Sequence, residues 1–88
     1  MKSARKPIEV ISLFDFEGNV SPIRFRYIDD HEIALVVSID KVLKKDIDKF
    51  AGNKMLKFSC ISNLNGLSKT YEIRYEIDTC RWFLYTTF

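Results

Sequence analysis

The chain has 88 residues, 47% apolar and 14% aromatic, a composition that suits one domain with one modest core and does not suit a disordered segment. Its net charge is +2, but Lys2, Arg5 and Lys6 supply three positive charges, so residues 7–88 carry −1. A nearly neutral body excludes the strongly basic face of a duplex-DNA binder.

No run of about 18 apolar residues is present, which excludes a membrane-spanning helix. Glu9 and Asp15 interrupt the apolar stretch that a signal peptide would need after the basic start. The expected setting is the cytoplasm, with no membrane partner. Residues 1–6 read as a flexible basic tail and 7–88 as a single β-barrel domain.

The first predicted strand is IEVISLFDF (8–16), β-branched and aromatic, with EGN as the following turn. IRFRYI (23–28) is a second strand, closed by the polar DDHE. IALVVSI (33–39) is apolar on both faces and reads as the most buried strand. Ile39, Leu43, Ile47 and Phe50 then recur at spacings of four, four and three, one face of a helix predicted near residues 42–51. Lys44, Lys45, Asp46, Asp48 and Lys49 fill its other face, and Gly52-Asn53 stands where a helix stops. A bulged strand continuing through Val42 and Leu43 is the alternative.

MLKFSCIS (55–62) and KTYEIRYEI (69–77) flank Asn65-Gly66, the strongest short hairpin signal. A two-residue turn there sets Cys60 opposite Tyr71, Phe58 opposite Ile73 and Leu56 opposite Tyr75 on a dry face. Ser59–Glu72, Ile61–Thr70 and Lys57–Arg74 form the polar face. RWFLYTTF (81–88) returns after DTC. With Asp78 and Arg81 flanking that turn, Ile77 meets Trp82, Tyr75 meets Leu84 and Ile73 meets Thr86.

Alternation in TYEIRYEID (70–78) therefore marks a half-buried strand, whose outward residues Glu72, Glu76 and Asp78 would repel phosphate. In PIRFRYIDD (22–30), Arg24 and Arg26 share a face, with Ile23, Phe25 and Tyr27 on the other. Asp15, Glu17, Asp29, Asp30 and Glu32 lie nearby in sequence, which favours cross-strand ion pairs for the arginines over phosphate contacts.

His31 is the only histidine, and Cys60 and Cys80 are twenty positions apart, so no four-ligand zinc site is available. Cys60 falls on the dry face and Cys80 in an exposed turn. No phosphate-binding glycine loop and no nucleophile elbow occur. The expectation is no cofactor, no metal, no catalytic residue and no enzyme activity.

More apolar residues are present than one face of each strand can use. Ala34 and Val36 face away from Ile33, Leu35 and Val37; Ile11 and Leu13 oppose Val10 and Phe14; Phe83 and Tyr85 face away from Trp82 and Leu84. Either the helix or a partner covers the second face. Taken together, PIRFRY, FAGNKM and YEIRYEIDTCRWFLY resemble the strand patterning of small bacterial β-domain proteins of about this length. That resemblance implies a compact β domain of the bacterial cytoplasm and carries over no catalytic residue. The element order also resembles that of OB-folds, many of which bind single-stranded nucleic acid, with SH3-like barrels a close rival.

The expected fold is a mainly β barrel of about six strands with antiparallel hairpins, SH3-like or OB-like, and one short helix. The expected function is a non-catalytic protein-interaction module that binds a protein partner or a second copy of itself. The alternative is an OB-like single-stranded nucleic-acid binder. The candidate contact face for either is Arg24, Arg26, Lys57, Arg74, Phe83 and Tyr85.

Overall fold

A computed structural model describes residues 5–50 and 52–86. Seven strands follow in chain order: β1 (Lys6–Phe14), β2 (Val20–Ile28), β3 (Ala34–Ser38), β4 (Lys41–Phe50), β5 (Asn53–Leu64), β6 (Leu67–Glu76) and β7 (Arg81–Leu84). They form one antiparallel sheet in the order β3-β2-β1-β7-β6-β5-β4, curled into a half-barrel. Strand β1 makes the curl possible by serving both halves. Lys6–Ile8 pair with β7, and Glu9–Phe14 pair with β2.

The inner faces of the two halves close on each other. Phe25 of β2 meets Tyr71 of β6 edge-on, with ring centroids 5.6 Å apart. Trp82 of β7 lies 4.9 Å from Tyr75 and 5.6 Å from Phe58. Ile8, Val20, Val37, Cys60, Ile73 and Leu84 complete the buried cluster. The molecule measures 35 × 31 × 20 Å, and its short axis accommodates two packed layers, whose backbones lie about 10 Å apart.

The β5–β6 hairpin keeps the register that Asn65-Gly66 dictates, from Met55 opposite Glu76 to Leu64 opposite Leu67. Asn65 and Gly66 both take positive φ, 54° and 84°, the backbone that a two-residue primed turn requires. The β6–β7 register differs from expectation by two residues: Ile73 pairs with Leu84 and Tyr75 with Trp82. DTC holds no glycine or asparagine for a primed turn, so the connection widens to four residues, 77–80, with Cys80 at φ 59°. A shift of two preserves the alternation, and the predicted dry face survives it.

The short helix predicted near 42–51 is absent among the described residues. That segment is β4, paired with β5 from Lys41–Ile61 to Phe50–Asn53, with Leu43 as a bulge between Val42 and Lys44. Gly52, at φ 81°, serves a hairpin turn rather than a helix stop. The strand count is accordingly seven, not six. Of the tail expected over 1–6, Lys6 opens β1 and Arg5 packs against the sheet; residues 1–4 lie outside the described residues. Among the described residues no helix is long and apolar enough to cross a membrane.

Candidate interaction face

The six residues singled out from sequence do not form one surface. Arg24 and Arg26 lie on the outer face of β1–β3. Lys57, Arg74, Phe83 and Tyr85 lie on the outer face of β5–β7 and the residue beyond it, on the opposite side of the molecule because the inner faces pack together.

On the β5–β7 side the aromatic residues are already covered. Phe83 is only 3% exposed. The Arg5 guanidinium sits 3.9 Å above its ring and that of Arg81 5.3 Å away. Arg74 lies 4.0 Å above the Tyr85 ring. Each of these guanidiniums is tied to carboxylates. Arg74 binds Glu72 directly and sits 3.5 Å from Asp48. Arg5 and Arg81 reach Glu76 at 3.8 and 3.9 Å.

Glu76 in turn accepts hydrogen bonds from Thr79 Oγ1 (2.6 Å) and Asn53 Nδ2 (2.9 Å). These bonds, Thr79 first, hold its carboxyl below the usual range, with smaller help from Arg5 and Arg81. Lys57 is half-buried in register between Arg74 and Asp46, and the Asp46 carboxylate holds Lys44 at 3.5 Å.

The outer face of β1–β3 is bare by comparison. Ile11, Leu13, Ile23 and Val36 are 55, 57, 50 and 60% exposed. Ile23 was expected to point inward with Phe25 and Tyr27. A bulge opposite Ile11–Ser12 inserts it as an extra residue beside Arg24 and leaves it in solvent. The inward partner becomes Pro22, which is buried. Ile28 and Ala34 extend the apolar strip toward the end of β3. Arg26 donates to Glu9 Oε1 through Nε at 2.8 Å and also through Nη2. Arg24, opposite Ile11, has no ion pair among the described residues. A shallow hollow lies between Glu9, Ile11, Arg24, Arg26 and Val36 on this face.

IALVVSI was read as the most buried strand, and this also differs. Strand β3 is an edge, and only Val37 of its five residues is buried. Hydropathy cannot separate a central strand from an apolar edge strand. Sequence reasoning also missed Arg5 and Arg81 as covers for Phe83. The available signal was facing: Arg81 stands two residues before Phe83, and Arg5 two residues before Pro7, which pairs with Phe83, so all share one face.

Burial pushes the Cys60 thiol up to about 12, whereas Cys80 is exposed in its turn. The Tyr71 hydroxyl donates to Ser62 Oγ at 2.5 Å, since the Ser62 hydrogen is committed to the Ser38 carbonyl at 2.6 Å. His31 lies in an exposed loop, and no three metal-ligating side chains cluster among the described residues. Compared with known protein families, curated proteins and solved structures, the chain matches none of them.

Proposed function

We propose that the protein is a non-catalytic protein-interaction module of the cytoplasm that associates with a second copy of itself through the β1–β3 half of the sheet. One observation carries this reading: the apolar strip of Ile11, Leu13, Ile23 and Val36 stays half-exposed or more. The equivalent aromatic residues on the opposite side are sealed under arginines. Half-exposed aliphatic side chains around an unpaired arginine have the composition of an interface centre, apolar with a guanidinium to fix orientation.

The nucleic-acid alternative draws less support. Stacking a base on Phe83 would first require Arg5 and Arg81 to leave its ring, and on Tyr85 would require the same of Arg74. Sedimentation velocity of the full chain over a wide concentration range tests the proposal. The mass is expected to rise toward twice the 10.3 kDa of one chain; a mass that stays at one chain throughout defeats it. Titration with labelled single-stranded DNA and RNA at moderate salt is expected to give no binding. Binding that persists there and drops by roughly 1–3 kcal/mol in Tyr85→Ala, the worth of a stacked base, would favour the alternative.

A further inference from the structure

The sheet has two edges, β3 and β4, and they are built differently. Strand β4 carries Lys41, Lys44, Lys45, Asp46, Asp48 and Lys49 and is bulged at Leu43, the devices that keep an edge from pairing with other chains. Strand β3 has none of them. Residues 33–39 contain no charge and no proline, and β3 keeps an unbroken register with β2 from Ala34 to Ser38.

Its free edge is oriented for pairing. The bonds from Ile39 N to Ile23 O (2.9 Å) and from Asp29 N to Ile33 O (3.0 Å) show that odd-numbered residues face β2. Ala34, Val36 and Ser38 therefore aim their backbone groups outward. Ser62 takes one lone pair of the Ser38 carbonyl. The edge groups of Ala34 and Val36 have no strand partner among the described residues.

We infer that two copies join edge to edge through β3, antiparallel and centred on Val36. This rests on the self-association reading above and narrows the contact to the β3 border of the apolar strip, at Val36, with Ile11 and Leu13 outside the joint. The sequence ALVVS is self-complementary about its centre. Ala34 meets Ser38 of the second copy, Leu35 meets Val37, and Val36 meets Val36, so small residues oppose small and aliphatic oppose aliphatic. No like charges are opposed. Leu35 and Val36, both exposed in one chain, are the side chains that gain cover.

Charge complementarity favours the same arrangement. Arg24 lies beside Ser38, and in the pair Ser38 lies beside Ala34 of the second copy, the residue that leaves the acidic loop of Asp29, Asp30 and Glu32. Arg24, Asp30 and Glu32 have no ion pairs within their own chain among the described residues. The two-fold axis brings each Arg24 toward the other copy's loop, giving the guanidinium the counter-charge it lacks.

The test uses the full chain in a Cys80→Ser background, with Cys60 protected by burial. Directly opposed residues of a hydrogen-bonded antiparallel pair have Cα atoms about 5.5 Å apart, within disulfide range. Val36→Cys is expected to give a disulfide-linked dimer under mild oxidation, whereas Leu13→Cys stays monomeric on a non-reducing gel. In sedimentation, Val36→Lys is expected to return the protein to one chain while Ile11→Lys leaves the dimer. Circular dichroism confirms that each variant is folded. A dimer that cross-links through Leu13→Cys and survives Val36→Lys would overturn the edge pairing and leave the self-association reading standing. A wild-type chain that never exceeds the monomer mass overturns both.

Discussion

Phe83 and Ile11 occupy comparable places, each on the outward side of a strand near the middle of the sheet, and their surroundings diverge. Over Phe83, one neighbouring strand end supplies Arg5 and its own strand supplies Arg81, both braced on Glu76. Beside Ile11, Arg24 is the only cation in register, and no carboxylate pulls it across the apolar surface. An aromatic ring can be covered from within a chain when a guanidinium has both a π-face to lie on and an acid to hold it there. An aliphatic strip offers no such face, and within one chain it stays in solvent.

The sharpest test of this comparison removes each side chain in turn. Phe83→Ala is expected to destabilise by roughly 3–5 kcal/mol, like a core phenylalanine, despite its place on the outer face. Ile11→Ala, measured where the chain is monomeric, should cost about 0.5 kcal/mol, a typical surface value. Urea denaturation midpoints decide it. Equal losses would mean that the arginines do not seal the ring.

A second expectation concerns what joins the two halves. Ser62→Ala removes the bridge between Tyr71 and the Ser38 carbonyl and should cost about 1–3 kcal/mol. Amide exchange should accelerate more along β3 than along β5–β6, where the hairpin is independent of that bridge. Uniform acceleration would show that the bridge does not pin the edge strand.

The acid response sharpens the comparison further. The carboxyl of Glu76 sits below its ordinary value of 4.5 in the folded state. Its stabilising effect is therefore complete above that value and is lost as pH falls toward the lower folded one. Glu76→Gln should be less stable than wild type at neutral pH and show a shallower loss below about 4.5. Parallel pH profiles for the two proteins would refute the role given to Glu76 as the brace for Arg5 and Arg81.

The smallest effect separates two loops of one design. Asp15 and Asp29 each accept backbone N–H groups of their own loop, and Gly18 and Glu32 occupy the same left-handed position at φ 85° and 61°. Glu32→Gly should stabilise by about 0.5–1 kcal/mol and Gly18→Ala destabilise by about 1 kcal/mol, since a side chain is costly in that region. Thermal melts would show it, and a loss on Glu32→Gly would mean that this glutamate makes a compensating contact.

Much of this was legible in the sequence, for reasons that vary with the segment. Asn65-Gly66 fixed every partner of β5 and β6 because a two-residue primed turn admits one register. The β6–β7 turn lacked that chemistry, and only the facing of its residues could be read. The helix error has a plain origin. Ile39, Leu43 and Ile47 are spaced by four, a multiple of both the strand period and, nearly, the helix period, and only Phe50 favoured the helix.

At the candidate face, Ile11, Leu13 and Val36 were read outward correctly from alternation. Ile23 was not, because a bulge breaks alternation without any sequence mark here. The burial of Phe83 was hidden because it depends on side chains contributed by two different strands.

The pairing of Lys6–Ile8 with Trp82–Leu84 has a consequence for how the molecule is made. Strand β1 leaves the ribosome before the other strands of the sheet, but one of its two neighbours is the sheet's last strand. The hairpins from β4 to β6 involve short sequence separations and can assemble during synthesis. The half-barrel cannot close until β7 is released. Contacts of such long range make folding slow relative to helical domains of this size. Until β7 arrives, the Ile8 side of β1 stays exposed, and dilution or a holding chaperone at that stage should raise the yield of native protein.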